Sequence, residues 1–385
     1  MKIIFVTNFM NHHQLTLCDE LNKRCDNFVF LATEPVNDER LALGYEDMNH
    51  SRDYIIRDYD GSSASEAINK LIVNSDVVMF GNCKNAYVNM RFKNSPDKLT
   101  FFVIERLLKR GLWSRFIPII FFKWYKRIVI HKNQNVKILC ASAFTPYDLS
   151  LLGFAVAGRC IKWGYFPQIE KTNIFDLENK KSHNKVPEII FCGRLIKVKK
   201  FDDVIRALAV LKNEGFQFHL TVIGDGPKRN IYEDLAQKLQ LEKCITFIGS
   251  VPFKDVKSYM VKANIAVFSS GFREGWGAVL NEYMANSCAI VASSAPGSVP
   301  YILRNNENSK IYRYGDDNEL RSALRDLITN SKCAQALGQQ AYKDYYDNWT
   351  PKIAAERLVG ILTQKKKYID GPCSEAKTIK NDWFK

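Results

Sequence analysis

Short apolar runs alternate with amphipathic stretches along this chain, and that alternation restricts the fold more than any other feature. In the first half the runs are Ile3 to Thr7, Phe28 to Ala32, Val77 to Phe80, Leu99 to Ile104 and Val136 to Cys140. Helical patterns fall between them, notably Gln14 to Lys23 and Ser63 to Asn74. Strands that are apolar throughout are covered on both faces, so the pattern predicts a parallel sheet with helices above and below. A polar break, Glu170 to Lys185, precedes a second βα series and reads as an interdomain linker.

At 385 residues with 46% hydrophobic content, the chain is long enough for two or three well-filled domains. Its ten Cys show no C-x-x-C spacing and no His cluster accompanies them. That excludes a zinc site or a disulfide framework as the organising device and points to a reducing compartment. Met1 opens directly on a strand, K-I-I-F-V-T, which predicts no signal peptide. The longest apolar stretch near the middle, Phe116 to Phe122, contains Pro118 and is too short to span a bilayer. The expected location is cytoplasmic.

The segment Arg273 to Ala292 holds the most specific chemistry. It reads as a turn with Glu274 and two glycines, Gly275 and Gly277, then a helix bearing Glu282, then a buried strand from Cys288 to Ala292. A helix mouth built on glycine leaves the backbone N–H groups of Gly277, Ala278 and Val279 free to hold a diphosphate, and the helix dipole adds positive potential. Glu282 would lie roughly 6–8 Å along the helix from that anion, within reach of ribose hydroxyls. Upstream, the strand Glu188 to Cys192 ends at Gly193, and a helical pattern runs from Asp202 to Leu211. Arg194 and Lys199 therefore fall in a strand-to-helix loop, where ligands of doubly wound sheets bind. Together they can neutralise a leaving diphosphate without a metal; alternatively they are two solvated surface cations.

From about Pro187 to Trp349 the sequence resembles the donor-binding half of glycosyltransferase family 4, retaining enzymes of the GT-B fold. The resemblance rests on G-R-L-x-x-x-K at Gly193 to Lys199, V-I-G-D-G-P at Val222 to Pro227, I-T-F-I-G-S-V at Ile245 to Val251 and N-I-A-V-F-S-S at Asn264 to Ser270. It continues through the Glu274/Glu282 segment and W-T-P-K-I-A-A-E-R-L at Trp349 to Leu358. It implies an α/β chain of two Rossmann-like doubly wound domains facing an interdomain cleft. The expected bounds are 1–169 for an acceptor-side domain, 170–186 for the linker and 187–348 for the nucleotide-sugar domain. Residues 349–385 follow, with the amphipathic pattern Ile353 to Lys367 crossing back to the first domain. By the same resemblance Gly193, Arg194 and Lys199 meet the donor diphosphate, Glu274 the transferred sugar, Glu282 the ribose, and backbone near Gly249 to Val251 the base. Three departures stand out: Lys200 where a glycine is usual, Ala285 to Ala289 without the customary Gly and Pro, and Val299-Pro300-Tyr301 in place of G-x-P-E.

The first βα loop, N-F-M-N-H-H-Q, opens at the carboxyl end of a strand, so Asn8, His12 and His13 can reach an acceptor hydroxyl or the donor phosphate, with His13 the candidate catalytic group. The alternative is that the two histidines cap and pack the following helix. Glu105-Arg106 has the same topological position, with a local ion pair as the plainer account. His50, His131, His183 and His219 carry no partner spacing.

The formal charge of +14 is unevenly spread. Residues Arg91 to Arg127 hold ten Lys/Arg against two Asp/Glu, interleaved with Phe92, Trp113, Phe116, Phe121, Phe122, Trp124 and Tyr125. Such a mixture suits peripheral attachment to an anionic membrane surface, the alternative being a partly buried helix pair with a basic rim. No nucleic-acid module accompanies the charge. The expected activity is transfer of a sugar from a nucleotide-diphosphate donor to a lipid-linked or saccharide acceptor in surface-polysaccharide assembly, with no cofactor or metal. A nucleotide-sugar epimerase and a non-catalytic sugar-nucleotide module are the alternatives.

Overall fold

The structure, a computed structural model, describes residues 1–37, 46–61 and 65–380. The chain folds as two compact units: Met1–Gln168 with Thr350–Lys385, and Ile169–Trp349.

The first unit is built on strands β1 (Lys2–Thr7), β2 (Asn27–Ala32), β3 (Ile55–Arg57), β4 (Val77–Phe80), β5 (Thr100–Ile104), β6 (Val136–Cys140) and β7 (Cys160–Lys162). They lie in the order β3-β2-β1-β4-β5-β6-β7, every pair parallel. Right-handed crossovers that start at β1 and run outward in both directions give this doubly wound order. Its switch point lies between β1 and β4. Strands β3 and β7 have three residues each and mixed polarity, too little pattern to be read from the sequence. The expected helix start at Ser63 lies outside the described residues; the helix observed is Ser65–Asn74. Helix Pro351–Thr363 begins with Thr350 capping Ile353 and Pro351 at its first turn. It packs on helix His12–Arg24, where Arg24 pairs with Glu356 at 2.9 Å. The tail then pairs with the outer strand, Cys373 N–H donating to Lys162 O at 2.9 Å and Lys162 N–H to Ser374 O at 2.8 Å. That contact covers the β7 edge.

The second unit holds β8 (Glu188–Cys192), β9 (His219–Ile223), β10 (Ile245–Gly249), β11 (Ile265–Phe268), β12 (Ala289–Ser293) and β13 (Lys310–Tyr312). The order β10-β9-β8-β11-β12-β13, again parallel, repeats the same winding with its switch point between β8 and β11. Helix Phe201–Asn213 buries Phe201, Val204, Ile205, Leu208 and Leu211, one stripe at helical period, against β8 and β9 residues such as Phe191 and Val222. The polar break read as a linker is in part regular structure: helix Ile174–Ser182 belongs to this unit and buries Leu177 and Lys181. Its one apolar anchor among charges explains why it did not read as a helix.

The basic segment divides in the structure. Arg91, Arg106 and Arg127 are buried. Arg91 donates to the carbonyls of Ile72 (2.9 Å), Val73 (3.2 Å) and Ser75 (2.8 Å), and Arg127 to those of Gly81 (2.7 Å) and Cys83 (2.9 Å). Arg91 and Arg127 tie separate segments together through these carbonyls, and none of the three adds to the surface charge.

Candidate functional site

The sheet order of the second unit makes β8 and β11 neighbours at the switch point, so the loops that follow them leave the carboxyl edge side by side. After β8 the chain passes Gly193, makes a 3-10 turn at Lys197–Lys199 and enters helix Phe201–Asn213 through Lys200. Lys200 sits in the left-handed region at φ 50°, which is why a glycine is the easier residue there. The Gly193 and Leu195 N–H groups donate to Ile223 O and Asp225 O, both at 2.9 Å. A Cβ on Gly224 would strike the Gly193 carbonyl, so the V-I-G-D-G-P motif is the requirement for packing the β9 loop against the β8 loop.

The loop after β11 is stitched to the first. Gly271 N–H donates to Val198 O at 2.8 Å, the Ser269 hydroxyl donates to Lys199 O at 2.7 Å, and Lys199 Nζ lies 2.6 Å from Glu274 Oε2. Both charged side chains are mostly buried, at 14% and 17% exposure. The structure thus brings together the Lys and the Glu that the sequence separates by 75 positions. Arg194 stands exposed beside them in the same loop.

Gly277 has φ 80° and a Cβ there would enter the Phe268 ring, so only glycine closes this turn. Helix Val279–Ala285 follows, with Ala278 as its N-cap and no side-chain cap bond. Its mouth therefore offers backbone N–H groups, as expected for Gly277, Ala278 and Val279. The Tyr283 hydroxyl accepts the Cys192 N–H at 2.7 Å, which staples the helix to the end of β8. Glu282 in the first turn is half-buried, and burial pushes its carboxyl up to about 7. Gly249 (φ 85°) ends β10, its carbonyl accepting the Gly224 N–H at 2.8 Å, and Val251 follows two residues on. Gly193, Arg194, Lys199, Gly249, Val251, Glu274, Gly277, Ala278, Val279 and Glu282 thus share one edge of one sheet.

His13 belongs to the first unit, in the first turn of helix His12–Arg24 after β1. Asn11 caps that helix by accepting the His13 N–H at 3.0 Å, so neither histidine is the cap. Burial, with His12 beside it, pushes the His13 ring down to about 3, which leaves it neutral, and its Nδ1 is buried without a hydrogen-bond partner among the described residues. The ring stacks on Tyr165 at 5.7 Å. Tyr165 donates to Glu105, which also pairs with Lys109. The plainer account, a local ion pair, holds for Glu105 through Lys109, while Arg106 faces buried Asp148 at 3.5 Å. Asp148 also accepts the Leu107 and Leu108 N–H groups at 3.0 Å each. Tyr165 as the partner of Glu105 and Asp148 as the partner of Arg106 are not legible in the sequence, because nothing local links them.

Residues 173–344 match the family model for glycosyl transferases group 1. This unit belongs to the group 1 glycosyl transferases. Curated relatives include the capsular polysaccharide biosynthesis glycosyltransferase CapM of Staphylococcus aureus, 22% identical over 251 residues, 63% of each chain. Another is the N-acetylgalactosamine-N,N'-diacetylbacillosaminyl-diphospho-undecaprenol 4-alpha-N-acetylgalactosaminyltransferase of Campylobacter jejuni, 28% identical over 155 residues and 40% of each chain. The chain spans less than two thirds of the length of these curated relatives. Among solved structures, Anabaena HepE in complex with UDP is similar at TM-score 0.71 and 14% identity, covering 94% of this chain and 100% of that one. The apo lipopolysaccharide outer core galactosyltransferase WaaB is similar at TM-score 0.64 and 15% identity, covering 95% and 100%. At these identities the likeness is one of fold, and the group 1 unit and its partner unit share the GT-B architecture of two Rossmann-like sheets.

Proposed function

We propose that this protein transfers a sugar from a nucleotide-diphosphate donor to a saccharide or lipid-linked acceptor, with retention of configuration. The observation that carries this reading is the joining of the β8 and β11 loops, which sets Lys199 against Glu274 beside a glycine-built, uncapped helix mouth. Backbone N–H groups at Gly277 to Val279 hold the diphosphate, and Arg194 and Lys199 take up the charge that develops as it leaves, without a metal. Glu274 faces the sugar, where positive character grows as the bond to phosphate breaks. Glu282 accepts from the ribose. His13, neutral and with a ring nitrogen that has no hydrogen-bond partner among the described residues, serves the acceptor hydroxyl. The UDP and UDP-glucose complexes of HepE, and relatives named for capsule and amylovoran biosynthesis, support a nucleotide-sugar donor and a polysaccharide setting. Incubation with a panel of nucleotide sugars, with and without polyprenyl-diphosphate saccharide, tests the reading. Nucleoside diphosphate release that rises with acceptor supports transfer. An isomerised nucleotide sugar with no release would identify an epimerase, and no turnover at all a binding module.

The acceptor is proposed to lie at the cytoplasmic membrane face, reached by peripheral attachment. No described helix is long and apolar enough to cross a membrane. Helix Pro118–Arg127 and its flanks instead expose Trp113, Phe116 (74%), Ile119 (78%), Phe122, Tyr125 and Ile130, with Arg110, Lys123 and Lys126 exposed among them. Aromatic and aliphatic side chains at headgroup depth, with each cation contributing about 1 kcal/mol near anionic lipid, suffice for salt-sensitive binding. Arg127 takes no part because it is buried. The variant Lys123→Glu/Lys126→Glu should lose binding to phosphatidylglycerol vesicles at low salt and keep donor hydrolysis. Sedimentation equal to the parent would remove the membrane from the account.

A further inference from the structure

Helix Val279–Ala285 carries the diphosphate mouth at one end and Glu282 in its first turn, so small changes in its tilt decide the donor site. Its opposite end is held by a residue of the segment that the sequence pattern predicts as linker. Lys181, on helix Ile174–Ser182, is buried, and its ammonium donates to Asn286 O at 2.7 Å and Ser287 O at 2.6 Å, with the Cys288 sulfur at 3.8 Å. These carbonyls belong to the turn just past the helix, where acceptors lack intrahelical donors and the dipole favours a cation. Ser287 itself is in the left-handed region at φ 53°, a conformation that a non-glycine residue keeps only when its surroundings impose it.

The link back to the donor site is direct. Asn286 donates to the Glu282 carbonyl twice, from its backbone N–H at 3.1 Å and its side-chain amide at 2.9 Å. The residue gripped by Lys181 therefore grips the backbone of Glu282. A buried ammonium is costly to retain, and hydrophobic side chains of the same length would fill the space without that cost. We infer that Lys181 is a positioning residue for the donor site, clamping the turn at Asn286 and Ser287 so that Glu282 and the helix mouth meet the nucleotide. The inference rests on the donor reading above.

Calorimetry with UDP, GDP, ADP and CDP tests it on the parent, Lys181→Met and Lys181→Arg. For the nucleotide that the parent binds best, Lys181→Met should raise Kd roughly tenfold, the scale of one charged hydrogen bond partly transmitted. The donor's KM should rise in parallel while kcat stays within about threefold, because Arg194, Lys199 and Glu274 sit on other loops. Lys181→Arg should restore most of the affinity. A purely structural lysine would lower folded fraction and kcat together and show no such split. Folded Lys181→Met with the parent's affinity overturns the clamp. Should Lys181→Met not fold, hydrogen exchange on the parent decides: the bound nucleotide should protect amides 286–288 as well as 277–282, and protection ending at Glu282 overturns the clamp too. A parent that binds none of the four overturns the donor reading itself, and the clamp with it.

Discussion

Replacing Lys199 or Arg194 with Ala should lower turnover by roughly 10²–10³, the usual loss when one preorganised donor to a developing anion is removed. The two residues share a short loop at the end of β8, and the Lys199 side chain folds back over Gly193. In the free protein Lys199 is neutralised by Glu274 at 2.6 Å, so a bound diphosphate competes with that carboxylate for the ammonium. Binding should free Glu274 toward the sugar. Lys199→Ala therefore removes a diphosphate contact and leaves Glu274 without its partner, and its loss should be at the upper end of the range. Arg194, exposed, should unfold nothing when replaced. Thermal melting of both variants should match the parent within a few degrees. Chelator should change the rate little; strict dependence on a divalent ion would contradict the assignment.

The two carboxylates should fail in different ways. Glu274→Gln should lower kcat, since its charge matters most when the sugar becomes cationic, while Glu282→Gln should mainly raise the donor's KM by weakening a contact made in ground and transition states alike. Glu282 adds a pH signature. Its carboxyl titrates at about 7 because burial disfavours the charge, so it is protonated in the free protein below that pH. Ribose hydroxyls bind the ionised form better, and donor KM should fall as pH rises from 6 to 8. The folded state holds this proton more tightly than the unfolded chain does, so the same group's contribution to stability is lost as pH rises through about 7. Glu282→Gln should flatten both trends. A KM profile in the variant that still bends near 7 would assign the titration to another group.

Much of this architecture is written in local pattern. The apolar run Val77–Phe80 is buried at every position because parallel sheets are covered on both faces, and it is a strand at the bounds its composition predicts. The glycines at 193, 224, 226 and 277 are equally legible, since each marks a close approach or a positive φ that other residues resist. What stayed hidden depends on partners far apart in the chain. Arg91, Arg106 and Arg127 read as surface charge, yet each folds inward onto carbonyls or onto Asp148. Lys181 looked like one more linker cation, and its partners lie more than a hundred residues away. Such contacts follow from tertiary packing, which one-dimensional periodicity does not encode.

A crystal structure of the protein with the nucleoside diphosphate that it binds best tests the central claim most directly. The diphosphate oxygens should lie about 3 Å from Arg194, Lys199 and the N–H groups of residues 277–279, with the ribose hydroxyls on Glu282 and the Lys199 to Glu274 contact broken. A nucleotide seated away from the β8 and β11 loops, with that ion pair intact, would contradict the account.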